Sequence, residues 1–214
     1  SAMTYNEYGL VINDYDGGYK YGDTVGTIDM NDEGVAMLED MIFCTKDFAK
    51  NNPETVKAFL YASLKGWADA CADPEEAAEI CFEAGSSVSA DHQKFMASEV
   101  KKQVSELGNM DEEAMKQTLD IAKQYVKLDD SAAADKLANM TLDDIRDTSF
   151  MEAIKDCDGK FNVEKSKVSI QLKWLPDAQF MGYYVAKAKG YYDEVGLDVE
   201  IVSGGGDISE TTAV

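Results

Sequence analysis

Residues 167–186 read KVSIQLKWLPDAQFMGYYVA, and this stretch has the form of a strand, a turn and a helix. Apolar side chains alternate with polar ones over its first eight residues, the period-two pattern of a strand with one buried face. Pro176 ends the strand because it lacks an N–H, and Asp177 follows where a carboxylate can cap a helix. The apolar and aromatic residues after it predict a helix that ends at Gly190.

A second strand is predicted at 198–202, which reads DVEIV, and it runs into the glycine turn SGGGD at 203–207. Two strands joined by a helix form a βαβ crossover, whose strands are parallel and end at the same edge of a sheet. The Trp-Pro-Asp turn at 174–177 and the triple-glycine turn are therefore predicted to face a ligand at one edge.

Length and composition favour a folded chain with one domain or two. The chain has 214 residues, of which 45% are hydrophobic, so it is long enough to bury a core. Its net charge of −21 argues against a nucleic-acid partner or an anionic membrane surface. No apolar run reaches the roughly 18 residues that a membrane span needs.

Cysteine and histidine usage argues against a metal site, and no cofactor is expected. The four cysteines form no Cys-x-x-Cys pair, and the chain has a single histidine. Cys71 and Cys81 fall on neighbouring predicted helices; free thiols are favoured over a disulfide between them, which stays open. His92 lies in the first turn of a helix, where we expect it to face solvent, and it has no visible nucleophile as a partner.

The chain before residue 160 divides into an irregular start and a long helical part. Short strands are predicted at 27–30 and 35–44, and Thr45 is placed to cap a short helix. From residue 52 to about 150 the apolar spacing predicts five helices, with their apolar faces in the core. The helices are expected to begin at Asn52, Asp73, Ser89 and Asp111 and near Leu142. Helical periodicity ends near 156, which places the junction of the chain at about 151–166.

Four motifs, taken in order, resemble the opening of a solute-binding protein of ABC importers. They are 173–184, 189–192, 196–199 and 204–207. The family includes binders of thiamine-precursor pyrimidines, riboflavin, nitrate and alkanesulfonates. Residues 1–8 are similar to the hinge segment of this family that contacts ligand. The stretch 52–59, with Gly66 and Trp67, is similar to its C-terminal helices.

The resemblance implies an α/β fold, namely one lobe of the type II periplasmic-binding-protein fold, with a small, mainly parallel sheet flanked by many helices. The order is permuted, since 1–150 resemble the C-terminal part of the family and 160–214 its N-terminal part. Residues 1–214 would then form a single lobe from two segments, without the second lobe and without the third strand of the sheet. An open sheet edge invites pairing, so a homodimer or a strand-swapped assembly is expected.

The implied function is that of the extracytoplasmic receptor of an ABC importer, with a permease as partner and a small, pyrimidine-like heteroaromatic ligand. Trp174 and Phe180 would stack on the ligand, while Asp177 and Gln179 would hydrogen-bond it. Further contacts would come from Tyr184, from Gly204, Gly205 and Gly206, and from Tyr5, Asn6 and Glu7. Each has a structural alternative: Trp174 as a strand end, Asp177 as a cap and the glycines as a turn. Cys157, before Asp-Gly-Lys, would suit the acylated cysteine of a lipoprotein precursor.

Two other functions stay open. Some relatives of this fold make the thiamine pyrimidine by consuming their own histidine, but this chain lacks their cysteine-rich motif, so we expect no enzyme activity. In the other reading, the chain is an engineered or truncated fragment of the fold that no longer binds ligand. Even as a binder, a single lobe supplies only half of the contacts and cannot exclude water, so weakened binding is expected.

Overall fold

The computed structural model describes residues 2–104 and 106–213. Ser1, Ser105 and Val214, which the sequence analysis includes in the single lobe, lie outside the described residues. The α-helices are α1 Glu7–Ile12, α2 Lys46–Asn51, α3 Pro53–Ala72, α4 Pro74–Glu83, α5 Ala90–Gln103, α6 Glu112–Tyr125, α7 Ser131–Asn139, α8 Leu142–Ile145, α9 Ser149–Ile154, α10 Met181–Ala188, α11 Tyr191–Glu194 and α12 Glu210–Ala213. The strands are β1 Lys167–Gln171 and β2 Asp198–Val202, and single 3-10 turns lie at Tyr15–Gly17, Gly22–Thr24 and Ala178–Phe180.

The βαβ unit predicted at 167–202 is confirmed. β1 and β2 pair in parallel, with Val168 opposite Val199 and Ile170 opposite Ile201. The apolar side chains of the strands join two hydrophobic clusters that also contain residues of α3, α4, α5, α10 and α11. The result is a mixed α/β fold with a small parallel sheet, as expected of part of a periplasmic-binding-protein lobe.

A close crossing of α3 and α10 lies at the centre of the molecule. A side-chain carbon added to Gly182 would fall on the indole ring of Trp67, and one added to Gly66 would meet the backbone of Gly182 and of Ala186. The Trp67 ring meets Tyr183 edge-on, with centroids 5.8 Å apart. Glycine is therefore required at both positions because the helix backbones approach closely there.

Four of the helix starts predicted from capping residues have a capping bond, whereas Asn52 precedes α3 without one. The side chains of Thr45, Asp73, Ser89 and Asp111 each accept a hydrogen bond from a backbone N–H in the first turn of the helix that follows. The helix at 131–139 was missed, although Asp130 caps it in the same way. The helix predicted near Leu142 is two short helices, α8 and α9, which are separated by the extended residue Arg146.

The start of α3 is completed by a residue of the segment 160–214. The Glu164 carboxylate accepts hydrogen bonds from the backbone N–H groups of Glu54 at 3.2 Å and Thr55 at 3.0 Å. The Thr55 hydroxyl also donates to Glu164, at 3.1 Å. Glu164 thus satisfies N–H groups that have no partner within the helix.

The two strands predicted in the first 50 residues were wrong. Residues 27–30 and 35–44 have no strand structure, and most of their apolar side chains are exposed, with Ile28 at 81%. A buried strand needs a neighbouring strand to bond its backbone. Within the described residues β1 and β2 pair only with each other. Side chains of α6 bond part of the 35–40 segment instead, since the Leu38 N–H donates to Thr118 Oγ1 at 2.9 Å.

The expectation that His92 faces solvent was also wrong. Its exposed fraction is 0%, because the 3-10 turn at Tyr15–Gly17 folds over the first turn of α5. Position in a first turn indicated a solvent-facing side chain, but a distant segment covers it.

Cys71 and Cys81 are free thiols, and burial raises the pKa of both. Among the helices of the described residues, none combines the length and hydropathy of a membrane-crossing segment.

Candidate functional site

The two turns predicted to face a ligand lie side by side. The Gly204 N–H donates to the carbonyl oxygen of Trp174 at 2.9 Å. A side-chain carbon on Gly204 would overlap the backbone of Leu172 and Lys173, so this position requires glycine. The site of a side-chain carbon on Gly206 lies 3.9 Å from the Trp174 ring, and Gly205 has open space around it. The Trp174 side chain, 43% exposed, therefore stands beside the glycine turn.

Asp177 is nearly buried at the end of the Trp-Pro-Asp turn, with 5% of its surface exposed. Its Oδ1 accepts a hydrogen bond from the Gln179 N–H at 2.9 Å, so the predicted cap is present. Burial raises the pKa of Asp177 to about 6, and the negative charges of Asp40 and Glu7 raise it further against the effect of that hydrogen bond. Buried carboxyl groups with raised pKa values are common at functional sites.

Phe180 and Tyr184, the other aromatic candidates, lie in the core beneath the turn, where 5% and 8% of their surfaces are exposed. The structure leaves Trp174 exposed at the surface, joins Gln179 to the nearly buried Asp177, and places these two rings in the core. Phe180 thus supports the turn from inside, and its ring face is not open to solvent.

The predicted contacts from the start of the chain reach the same place. Tyr5 is buried in the cluster that contains Phe180 and Tyr184. Burial raises the pKa of its phenol, and the nearby charges of Glu39, Asp40, Asp177 and Glu7 add to this effect. Asn6 precedes α1, and the Glu7 carboxylate accepts the Met3 N–H at 2.8 Å.

Sequence reasoning missed two carboxylates of this site. The Gln179 side-chain amide donates to Asp40 at 2.5 Å, and the Lys173 ammonium lies 3.5 Å from Glu39. Both acidic residues fall within the segment that was predicted as a buried strand. An adjacent Glu-Asp pair in an apolar run was the one signal that could have found them, because such charges oppose burial.

Four carboxylates, those of Glu7, Glu39, Asp40 and Asp177, therefore lie near the Tyr5 phenol, and two of them, Glu7 and Asp40, also lie near Asp177. Lys173 contacts this cluster only through Glu39. We call Glu7, Glu39, Asp40 and Asp177, together with Trp174 and Gln179, the acidic edge. Its local charge favours a ligand that carries hydrogen-bond donors or a positive charge.

Two depressions elsewhere have volumes of about 500 Å³, along β1 and β2, and about 130 Å³, between α4 and α5. Neither is lined by a residue of the acidic edge.

The parallel βαβ unit, with its polar groups at the ends of the strands, defines the class as part of a periplasmic-binding-protein lobe. The family model described as NMT1/THI5 like matches residues 3–77 and 177–214, more than half of the chain. The chain belongs to the NMT1/THI5-like family, whose members are mainly of the substrate-binding type of ABC transport. The matched residues include Tyr5, Asp177 and the glycine turn, whereas Trp174 lies outside them. Neither a search of curated proteins nor one of solved structures gave a match.

Proposed function

We propose that the chain binds a small, pyrimidine-like heteroaromatic solute at the acidic edge, as the receptor part of an ABC importer. The observation that carries the proposal is the exposed Trp174 ring beside the glycine turn, three residues before the nearly buried Asp177. A flat apolar face next to carboxylate acceptors suits an aromatic ring that carries amino groups or protonated ring nitrogens.

Each group at the edge has a distinct part in this proposal. Trp174 stacks on the ligand ring, and Asp177 accepts a hydrogen bond from an amino group or a ring N–H. Gln179 is held in place by Asp40, which leaves its amide oxygen for the ligand. The backbone at Gly205 and Gly206 has no side chains to block a close approach. Tyr5, Asn6 and Glu7 complete the edge, and Phe180 and Tyr184 support it from the core.

A single-lobe organisation is part of the proposal. The segments 1–150 and 160–214 form one lobe in permuted order, joined near 151–166. Two contacts support this: Glu164 caps α3, and α3 crosses α10 at Gly66 and Gly182. We propose that the acidic edge is one wall of a binding cleft, so that this lobe alone binds the ligand weakly.

The proposed setting follows the family. The importer receptor acts outside the cytoplasm, with Cys157 as the acylated residue of its precursor, and delivers the solute to a permease. Because β1 and β2 pair only with each other among the described strands, their outer edges are open. We propose that two copies associate through such an edge.

Calorimetry with 4-amino-5-hydroxymethyl-2-methylpyrimidine as the probe tests the function, with riboflavin, taurine and nitrate for comparison. Saturable binding of the aminopyrimidine is expected, and Trp174→Ala should abolish it at an unchanged melting temperature. Phe82→Ala is the matched control, because Phe82 is 44% exposed, close to the 43% of Trp174, and lies on α4. Equal binding by Trp174→Ala, or no saturation at millimolar probe, would contradict the proposal.

The same samples separate binding from catalysis. We expect the probe to be recovered unchanged and the protein mass to stay constant. A converted product, or a mass change at His92, would instead identify an enzyme that consumes its own histidine.

A further inference from the structure

His92 lies between two hydrogen-bond acceptors. Its Nδ1 is 3.1 Å from a carboxylate oxygen of Asp16, and its Nε2 is 3.4 Å from the backbone carbonyl oxygen of Asn6. A neutral imidazole carries one N–H and can donate to only one of them, whereas an imidazolium donates to both. The geometry is therefore complete only when both ring nitrogens are protonated.

Asp16 is itself fixed in place. Its carboxylate accepts hydrogen bonds from the Ser89 N–H, at 3.1 and 3.2 Å, and from the Ser89 hydroxyl at 3.2 Å. Its backbone has φ 50°, a left-handed conformation that aspartate adopts more readily than most residues. Partial burial opposes its charge, but the hydrogen bonds from Ser89 and His92 hold the pKa of Asp16 below its usual value. The ring of Tyr15 stacks on His92, with centroids 5.8 Å apart.

The contact to Asn6 reaches the acidic edge directly. Asn6 lies between Tyr5, whose phenol is surrounded by the four carboxylates, and Glu7, which is one of them. The Asn6 side chain makes no capping bond at the start of α1. The Asn6 carbonyl oxygen also accepts the Leu10 N–H of α1 at 3.4 Å, and the bond from His92 is the one that ties this carbonyl to α5.

We infer that His92 and Asp16 are positioning residues for the acidic edge, and that they hold Asn6 in place only while His92 is an imidazolium. The effect on ligand binding rests on the proposed function. As pH rises and His92 loses a proton while keeping its bond to Asp16, the Nε2 lone pair faces the Asn6 oxygen. The two atoms repel, and residues 5–7 lose an anchor. Ligand binding therefore weakens as pH rises through the His92 titration.

Other titratable groups lie on the elements that pack against α5, and they can also contribute to a pH dependence near His92. They are Glu7 and Tyr8 of α1; Asp14, Tyr15 and Asp16 of the 3-10 turn with its cap; Glu75, Glu76, Glu79, Cys81 and Glu83 of α4; and Asp177. Asp91, Lys94, Glu99, Lys101 and Lys102 lie on α5 itself. Asp16 is the one whose carboxylate bonds the His92 ring in the described structure.

The chain has one histidine, so its ring signals need no assignment. Proton–nitrogen NMR of the ring, with the carbonyl carbon signal of Asn6, should be followed from about pH 5 to 8. We expect both ring nitrogens to be protonated at the acidic end and the Asn6 signal to move with the same midpoint as the ring. A neutral ring throughout, or an Asn6 signal that ignores the ring, would overturn the inference.

Two variants separate positioning from a general effect on the fold. His92→Gln keeps an amide donor of similar reach but cannot titrate, so the Asn6 signal should lose its pH dependence in this range. Asp14→Asn is the matched control, since Asp14 lies in the same turn and pairs with Lys20 at 2.8 Å. It should leave the wild-type titration unchanged; loss of the titration in this variant would contradict a specific role of Asp16. If His92→Gln does not fold, the wild-type titration alone decides.

Ligand binding is measured in an experiment separate from the NMR titration. Asp177 ionises near pH 6 in both proteins, so the wild type should lose affinity for the aminopyrimidine probe relative to His92→Gln as pH rises. Equal pH profiles for the two proteins would overturn the positioning role. If the probe binds to neither protein, the proposed ligand is wrong, and the NMR titration still decides the role of His92.

Discussion

Replacing Asp177 with asparagine should stabilise the protein at neutral pH and not at acidic pH. Asparagine keeps the oxygen that accepts the Gln179 N–H, and it caps helices as well as aspartate does. What changes is the charge. The pKa of Asp177 rises from 3.8 to about 6, mainly because the group is buried and also because Asp40 and Glu7 are near.

The sign follows from linkage. A carboxyl group whose pKa is higher in the folded state binds its proton more tightly there, so it favours folding below its unfolded pKa. This contribution is lost as pH rises through the folded pKa. A pKa shift from 3.8 to about 6 changes the contribution of Asp177 to the free energy of unfolding by about 3 kcal/mol between acidic and neutral pH. Asp177→Asn removes this penalty above about pH 7 and changes little below about pH 4.

Urea denaturation of the wild type and of Asp177→Asn at about pH 4 and about pH 7.5 measures the effect. The gap is the difference in free energy of unfolding between the two proteins at one pH, and the contributions of the other carboxylates cancel in it. The matched control is Asp73→Asn, in which Asp73 caps α4 from an exposed position. A gap for Asp177→Asn that is equal at both pH values would refute the reasoning. A gap of the same size for Asp73→Asn would show that the effect belongs to caps in general.

Two further predictions concern the contacts that join distant parts of the chain. Gly182→Ala places a methyl group on the Trp67 ring and should lower the free energy of unfolding, measured in urea, by about 1–3 kcal/mol. The control is Gly26→Ala, which meets open space and should change the free energy of unfolding by less than about 0.5 kcal/mol. Equal losses in the two variants would argue against a tight crossing of α3 and α10. Partial desolvation opposes the charge of Glu164, but hydrogen bonds from its own N–H and from Thr55 and Glu54 lower the pKa of its carboxyl group. Glu164→Gln should therefore destabilise the fold at neutral pH, and progressively less as pH falls through the pKa of that carboxyl group. Glu152→Gln on α9 serves as its control, and a loss that does not depend on pH would contradict the role of the charge.

Features set by neighbours in sequence were predictable. The alternation in β1 and the cap at Asp177 are local, and the structure shows both, whereas β1 ends at Gln171 and not at Pro176 as predicted. The helix starts at Thr45 and Ser89 were found for the same reason, since a capping side chain bonds a backbone group only three residues away.

Features that depend on distant residues were missed. Apolar composition predicted a strand at 35–44, but a strand also needs a neighbour, and none pairs with it in the described chain. Asp40 joined the acidic edge through Gln179, which is 139 residues away, and no local pattern encodes such a contact. His92 was misplaced because Asp16, 76 residues away, covers it.

The crossing of α3 and α10 has a consequence for how the chain acquires its structure. The buried face of α3 packs against elements that are synthesised much later than α3: Ser63 bonds the Tyr192 hydroxyl at 3.0 Å, and the two residues are 129 positions apart. Contacts of such sequence separation slow folding, because a long loop must close before they form. During synthesis α3 would therefore leave the ribosome with its apolar face uncovered, and chaperone binding or proteolysis at this helix would compete with folding until α10 and α11 emerge.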